Sequence, residues 1–230
     1  MRTAAYRLFA GAPAACLAAY LAAYTTCAMT FAEEKGPKPV GEATKSVCLF
    51  DGKSFAGWEG NLDLFRIQDG AIVGGTLKRA VPRNEFLCST RQYADFELRL
   101  KFMLIGDGVN GGVQIRSSRV PNHHEVSGYQ ADLADGYWGC LYDESRRNRI
   151  LAGPEAADRG KPVRAGQWND YVIRCEGRRI QLWINGHKTC DYTEADTSIP
   201  QKGLLGLQIH GGGPSEAWYK DLSIRELPRK

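Results

Sequence analysis

Asp95–Ile105, DFELRLKFMLI, decides the fold. Phe96, Leu98, Leu100, Phe102 and Leu104 hold every second position, with Glu97, Arg99 and Lys101 between them. On a helix these five apolar side chains would scatter round the circumference, whereas on a strand they line one face. Upstream, Phe65–Thr76, FRIQDGAIVGGT, is a hairpin with two alternating arms across Asp69-Gly70. Cys48–Trp58 opens the domain with a short strand and an Asp-Gly turn. Downstream, Gly112–Ser117, Gly128–Ala134, Gly203–His210 and Ala217–Leu227 alternate in the same way. Gln167–Tyr192 is a meander whose second turn is Asn185-Gly186, and Pro154–Pro162 is a loop with at most one helical turn. Ten or more strands without a sustained helical period in the domain predict an all-β sandwich of two curved antiparallel sheets, of jelly-roll type.

The totals agree with one such domain. The chain has 230 residues, 26 glycines and 43% hydrophobic content, which fits a globular, turn-rich fold. Its formal charge of +4 drops to +2 once Arg2 and Arg7 are set aside, too nearly balanced for a nucleic-acid partner. Those two arginines, the uncharged Leu8–Tyr24 run and Thr30-Phe31-Ala32 predict a signal peptide over residues 1–32, and hence a secreted or periplasmic protein. A membrane enters only if that segment is retained as an anchor. Residues 33–45 form a linker, and the domain spans residues 46–230.

Five cysteines remain beyond the leader: Cys48, Cys88, Cys140, Cys175 and Cys190. Cys175 and Cys190 fall on the outer two strands of the predicted meander. The strand between them would hold them about 9–10 Å apart, beyond disulfide reach, so no bridge is predicted there. Without a C-x-x-C, a thiolate zinc site is not expected.

Strand parity also sorts the polar residues. Gln114 and Arg116, Gln130 and Asp132, and Gln208 and His210 all lie opposite the apolar faces of their strands, so parity predicts that they share one sheet face. Glu125, Trp138, Tyr142, Asp143, Glu144, Arg146 and Arg147 join them from the connecting segments. Amides, guanidinium groups and carboxylates bind sugar hydroxyls in pairs, while tryptophan and tyrosine stack on a pyranose, so carbohydrate is the expected ligand. Trp168, Trp183 and Trp218 sit in strands and are expected to pack rather than bind. In His123-His124-Glu125 neighbouring side chains point different ways, so at most two of the three would reach one metal. Glycosidases on curved sandwiches carry Glu-x-Asp-x-x-Glu on one strand face to set acid and nucleophile about 5 Å apart. That motif is absent from this sequence, and Asp143 and Glu144 would face opposite sides of a strand.

LFDGKSFAGW, FRIQDGAIVGG, NGGVQIRS, GYQADLADGYWGCLYDESRRNRILAGP, QWNDYVIRCEGRRIQLWINGHKTCDYTE, GLLGLQIHGG and WYKDLSIREL together resemble the 3-keto-disaccharide hydrolase family over about residues 46–228. The resemblance implies a concanavalin A-like jelly roll and an enzyme cleaving glycosides already oxidised to a ketone at C3. Such a ketone acidifies the hydrogen on C2, so one base suffices to expel the C1 substituent by elimination. His210 or Glu125 is the expected base, and Asp132 with Glu125 the expected pair for a divalent ion at the ketone; no organic cofactor is expected. Gln114, Arg116, Gln130, Gln208, Trp138, Tyr142 and Arg146 are the expected sugar contacts. A lectin-like binding module without catalysis is the alternative on the same fold.

Overall fold

The computed structural model describes residues 45–228, so the predicted leader and nearly all of the linker lie outside the described residues. In chain order the strands are β1 Val47–Cys48, β2 Trp58–Glu59, β3 Phe65–Gln68, β4 Ala71–Thr76 and β5 Glu85–Tyr93. Next come β6 Phe96–Gly106, β7 Asn110–Arg119, β8 Val126–Ala134, β9 Leu141–Glu144 and β10 Ile150–Ala152. The last five are β11 Asn169–Glu176, β12 Arg179–Ile184, β13 His187–Thr193, β14 Gly203–Ile209 and β15 Ser215–Glu226. One turn of 3-10 helix, Ala156–Asp158, sits in the loop predicted between the two prolines.

These strands form two antiparallel sheets. The first runs β13-β12-β11-β6-β15-β4-β3, with β1 added on β15; the second runs β10-β9-β8-β7-β14-β5-β2. This is the predicted two-sheet jelly roll. Asp69-Gly70 and Asn185-Gly186 both adopt positive φ at their two residues, as the tight hairpin turns read from the sequence require. β5 escapes sequence reading because Ser89, Thr90, Arg91 and Gln92 interrupt its alternation.

The core lies between the sheets and follows the predicted parity. Phe96, Leu98, Leu100, Phe102 and Leu104 of β6 are buried against Val113, Ile115, Tyr129, Ala131, Leu133, Leu207 and Ile209 of the second sheet. Each such side chain contributes roughly 1.5–3 kcal/mol on burial. Tyr219 of β15 crosses this core. Its hydroxyl donates to the Gln208 carbonyl at 2.7 Å and accepts the Gly112 N–H at 3.2 Å, tying the first sheet to the backbone of the second. Trp183 and Trp218 are buried and Trp168 packs edge-on to Trp218, as expected of packing residues.

All five described cysteines are free thiols. Cys175 faces Ile180 of β12 while Cys190 faces Leu182 from the other side, so the middle strand separates them as predicted. Among the described residues no helix is long and apolar enough to cross a membrane.

Candidate functional site

The outer face of the second sheet carries the polar residues in rows set by register. Gln208 of β14 pairs with Gly112 of β7, and Gly112 pairs with Asp132 of β8. One row along, Gly206, Gln114, Gln130 and Tyr142 follow one another across β14, β7, β8 and β9. On the other side of the Asp132 row, Asn110 pairs with Ala134 while its carbonyl accepts the His210 N–H at 3.2 Å. Glu144 stands opposite Gly128, which leaves the space beside it clear of side chain. Gln114, Gln130, Asp132, Gln208 and His210 therefore share the face that strand parity predicts.

A cavity of about 180 Å³ opens on this face, lined by Asn110, Gln130, Asp132, Tyr137, Tyr142, Glu144 and His210. A polarised hydrogen-bond chain leads to its floor. Ser117 Oγ donates to Gln114 Oε1 at 2.7 Å, Gln114 Nε2 to Gln130 Oε1 at 2.6 Å, and Gln130 Nε2 to Asp132 Oδ1 at 3.4 Å. Gly112 makes room for this arrangement, since a Cβ there would lie 2.8 Å from Gln130 Cγ and Cδ. Gln114 thus orients Gln130 and does not itself line the cavity. Gln208 is fully buried beside it, and neither its amide nitrogen nor its amide oxygen has a partner.

Electrostatics set the protonation of the site. Asp132 is pushed up to about 7, first by burial and then by the Glu144 charge, against the Leu133 N–H that its Oδ1 accepts. Glu144 is likewise pushed up to about 7 by burial, with Glu125 and Asp143 adding repulsion. Two carboxyls in one cavity therefore keep protons close to neutral pH. His210 Nδ1 lies 2.6 Å from the Gly211 carbonyl oxygen. A carbonyl only accepts, so Nδ1 carries the hydrogen, and the lone pair of the neutral ring sits on Nε2.

Several expected contacts lie elsewhere. Arg116 has φ of 49° at a bulge where β7 slips register against β8 and β14. The bulge turns its side chain away from the cavity, where it is fully buried and donates to the Ala94 and Gly177 carbonyls, Gln201 and Asp95. Trp138 stacks on Phe102 of the core at 6.2 Å. Arg146 lies over the Tyr129 ring and pairs with Asp143 at 2.7 Å. Glu125 is outside the lining; its Oε1 stands 3.7 Å from His124 Nδ1 and its Oε2 is buried without a partner. Among the described residues no three His, Cys, Asp or Glu side chains gather as a metal cluster. With Glu125 outside the cavity that Asp132 lines, the two do not meet as the expected pair for a divalent ion.

Asn110 and Tyr137 complete the cavity without having been singled out from the sequence, while Glu144, grouped there with the connecting segments, joins it from β9. Glu144 had a legible signal: alternation in β9 sends Leu141 and Asp143 inward and Tyr142 and Glu144 outward.

Residues 45–225 match the family described as the 3-keto-alpha-glucoside-1,2-lyase-like domain. No curated protein matches the sequence. Among solved structures, the chain is similar to a candidate glycosyl hydrolase from Parabacteroides distasonis, at 20% identity and TM-score 0.59, over 80% of this chain and 94% of that one. It is similar to a carbohydrate-binding module from Bacillus subtilis at 15% identity and TM-score 0.57, covering 74% and 96% of the two chains. A protein with a galectin-like fold from Bacillus subtilis gives 12% identity and TM-score 0.58 over 83% and 98%. At these identities the likeness establishes the concanavalin A-like and galectin-like jelly roll.

Proposed function

Because the chain belongs to the 3-keto-alpha-glucoside-1,2-lyase-like domain family, we propose that it cleaves glycosides whose C3 hydroxyl has been oxidised to a ketone, in a secreted or periplasmic setting. The observation that carries this reading is the convergence of His210, Asp132 and Glu144 on one cavity that also presents amides and tyrosines.

The chemistry follows from that set. His210 Nε2 takes the acidified C2 hydrogen as a proton. The C2–H electron pair becomes the C1=C2 bond as C1–O1 breaks. Glu144, held protonated up to about pH 7, gives its proton to O1, which departs as an alcohol. Asp132, protonated over the same range, donates a hydrogen bond to the ketone oxygen as negative charge builds there. Water added across the resulting enone gives the free 3-keto sugar. No carboxylate nucleophile is needed, in keeping with the missing Glu-x-Asp-x-x-Glu motif.

The test uses a 3-keto-glucoside deuterated at C2 beside its unoxidised parent. Release of the alcohol from the keto compound alone, with loss of deuterium to solvent and slowing by the isotope, is the expected result. A protein that leaves the keto compound intact but retains unmodified glycans on a column is a binding module, and the reading falls.

A further inference from the structure

His210 stands one residue past the end of β14, and Gly211, Gly212 and Gly213 follow it. Three glycines give this stretch of backbone little stiffness of its own, because none carries the Cβ that narrows φ and ψ elsewhere. The imidazole nevertheless leans on it, since Nδ1–H donates to the Gly211 carbonyl at 2.6 Å. Whatever aims that carbonyl sets the tautomer and the tilt of the ring.

The segment leading into β5 does the aiming. Gly212 N–H donates to the Val81 carbonyl at 2.9 Å, and Val81 N–H donates to the Gly212 carbonyl at 3.0 Å, an antiparallel bridge. The Gly211 carbonyl shares a peptide plane with the Gly212 N–H and points the opposite way, as a trans amide must. Anchoring that N–H on Val81 therefore turns the carbonyl away from Val81. A single anchor leaves the plane free to rock, and the second hold comes from a side chain: Asn84 Oδ1 accepts the Gly211 N–H at 3.0 Å. Arg83 packs close against the same glycine, where a Cβ would lie 2.7 Å from the Arg83 Cα. Asn84 is not among the residues that line the cavity.

Resting on the reading of His210 as the base, we infer that Asn84 is a positioning residue for the reaction. By fixing the Gly211 peptide it keeps the hydrogen on His210 Nδ1 and the lone pair on Nε2, the nitrogen that takes the C2 proton. Without Asn84 the carbonyl swings off Nδ1 and the hydrogen is free to move to Nε2. A ring protonated there cannot accept a proton at that atom.

The experiment compares the full wild-type chain with Asn84→Ala and with Asn84→Asp, which keeps an acceptor at the same place. Imidazole nitrogen NMR at pH 9, where the ring is neutral, is expected to show Nδ1–H and a bare Nε2 at His210 in the wild type and mixed tautomers in Asn84→Ala. On a 3-keto-glucoside, kcat in Asn84→Ala is expected to fall about ten- to hundredfold with KM little changed. Asn84→Asp is expected to return both the tautomer and kcat. Retention of the wild-type tautomer or of the wild-type kcat in Asn84→Ala overturns the inference, as does an Asn84→Asp variant that restores neither. If Asn84→Ala does not fold, Asn84→Ser, whose hydroxyl is too short to reach the Gly211 N–H, takes its place under the same criteria. If the wild type cleaves no 3-keto-glucoside, the parent reading fails separately and the spectra alone decide. An Nδ1–H tautomer lost on removing the Asn84 side chain then upholds the hold on His210, and one retained sinks it.

Discussion

Asp132 and Gln208 face each other across Gly112, one on each neighbouring strand, in a single row of the outer sheet face. The missing side chain at Gly112 lets Gln130 lie over the backbone between them. Gly112→Ala introduces a Cβ that displaces Gln130 without backbone strain. The expected result is a folded protein whose kcat/KM on a 3-keto-glucoside falls about tenfold or more, since small misplacements of positioning groups are costly. Unchanged kinetics would show that Gln130 needs no such seat.

Gln114 touches no cavity space, yet its amide holds Gln130 at 2.6 Å. Gln114→Ala leaves the buried Gln130 oxygen without its donor, at a cost of about 1–3 kcal/mol, while the Ser117 hydroxyl still reaches the Ile115 and Tyr129 carbonyls. Thermal unfolding should register that loss, and kcat should fall more than KM rises.

The proposed reaction needs Asp132 and Glu144 protonated. Both titrate at about 7, so kcat/KM is expected to decline as pH rises through and beyond that value. In Glu144→Gln the decline loses its Glu144 component, and the rate drops by about 10²–10⁴, most for poor leaving groups. A flat profile from pH 6 to 9 in the wild type would remove these carboxyls from their roles.

The same carboxyls make stability depend on pH. Asp132 rises from 3.8 in the unfolded chain to about 7 when folded, so between those values the folded state holds the extra proton. Stability therefore falls as pH rises through this window, opposite in sign to a salt-bridged carboxylate. Asp132→Asn removes the charge that must be buried above pH 7. Its melting temperature at pH 8 should exceed that of the wild type, by about 2–4 °C for each kcal/mol recovered, with a shallower slope from pH 4 to 7.

Arg116 is a structural residue. Replacing it with Ala strips partners from Asp95, Gln201 and two carbonyls, with an expected loss of about 3–5 kcal/mol in chemical denaturation. KM for a 3-keto-glucoside should stay unchanged in the protein that still folds.

Much of this molecule was legible because period-2 alternation is enforced by burial. A slip of one residue in β6 would move Phe96 and Leu98 into water, so the pattern reports the face directly. The same rule put Gln114, Gln130, Asp132, Gln208 and His210 on one side. It failed at Arg116, where a bulge with positive φ resets the alternation and a non-glycine residue gives no warning of it. It was silent for Tyr137, which lies in a turn, and weak for Glu144, because β9 is only four residues long. Trp138 reads as a sugar platform by residue type; its packing on Phe102 depends on a strand 36 positions away in the chain.

Tyr219 belongs to the back sheet, yet its hydroxyl grips the main chain directly beneath Gln208 and Gly112. The two halves of the sandwich are thus mechanically joined at the spot where the front half must stay still. Anyone remodelling the rear surface along β15 will be tuning the stiffness of the reaction bed on the far side, and substitutions there should be screened by turnover as well as by melting.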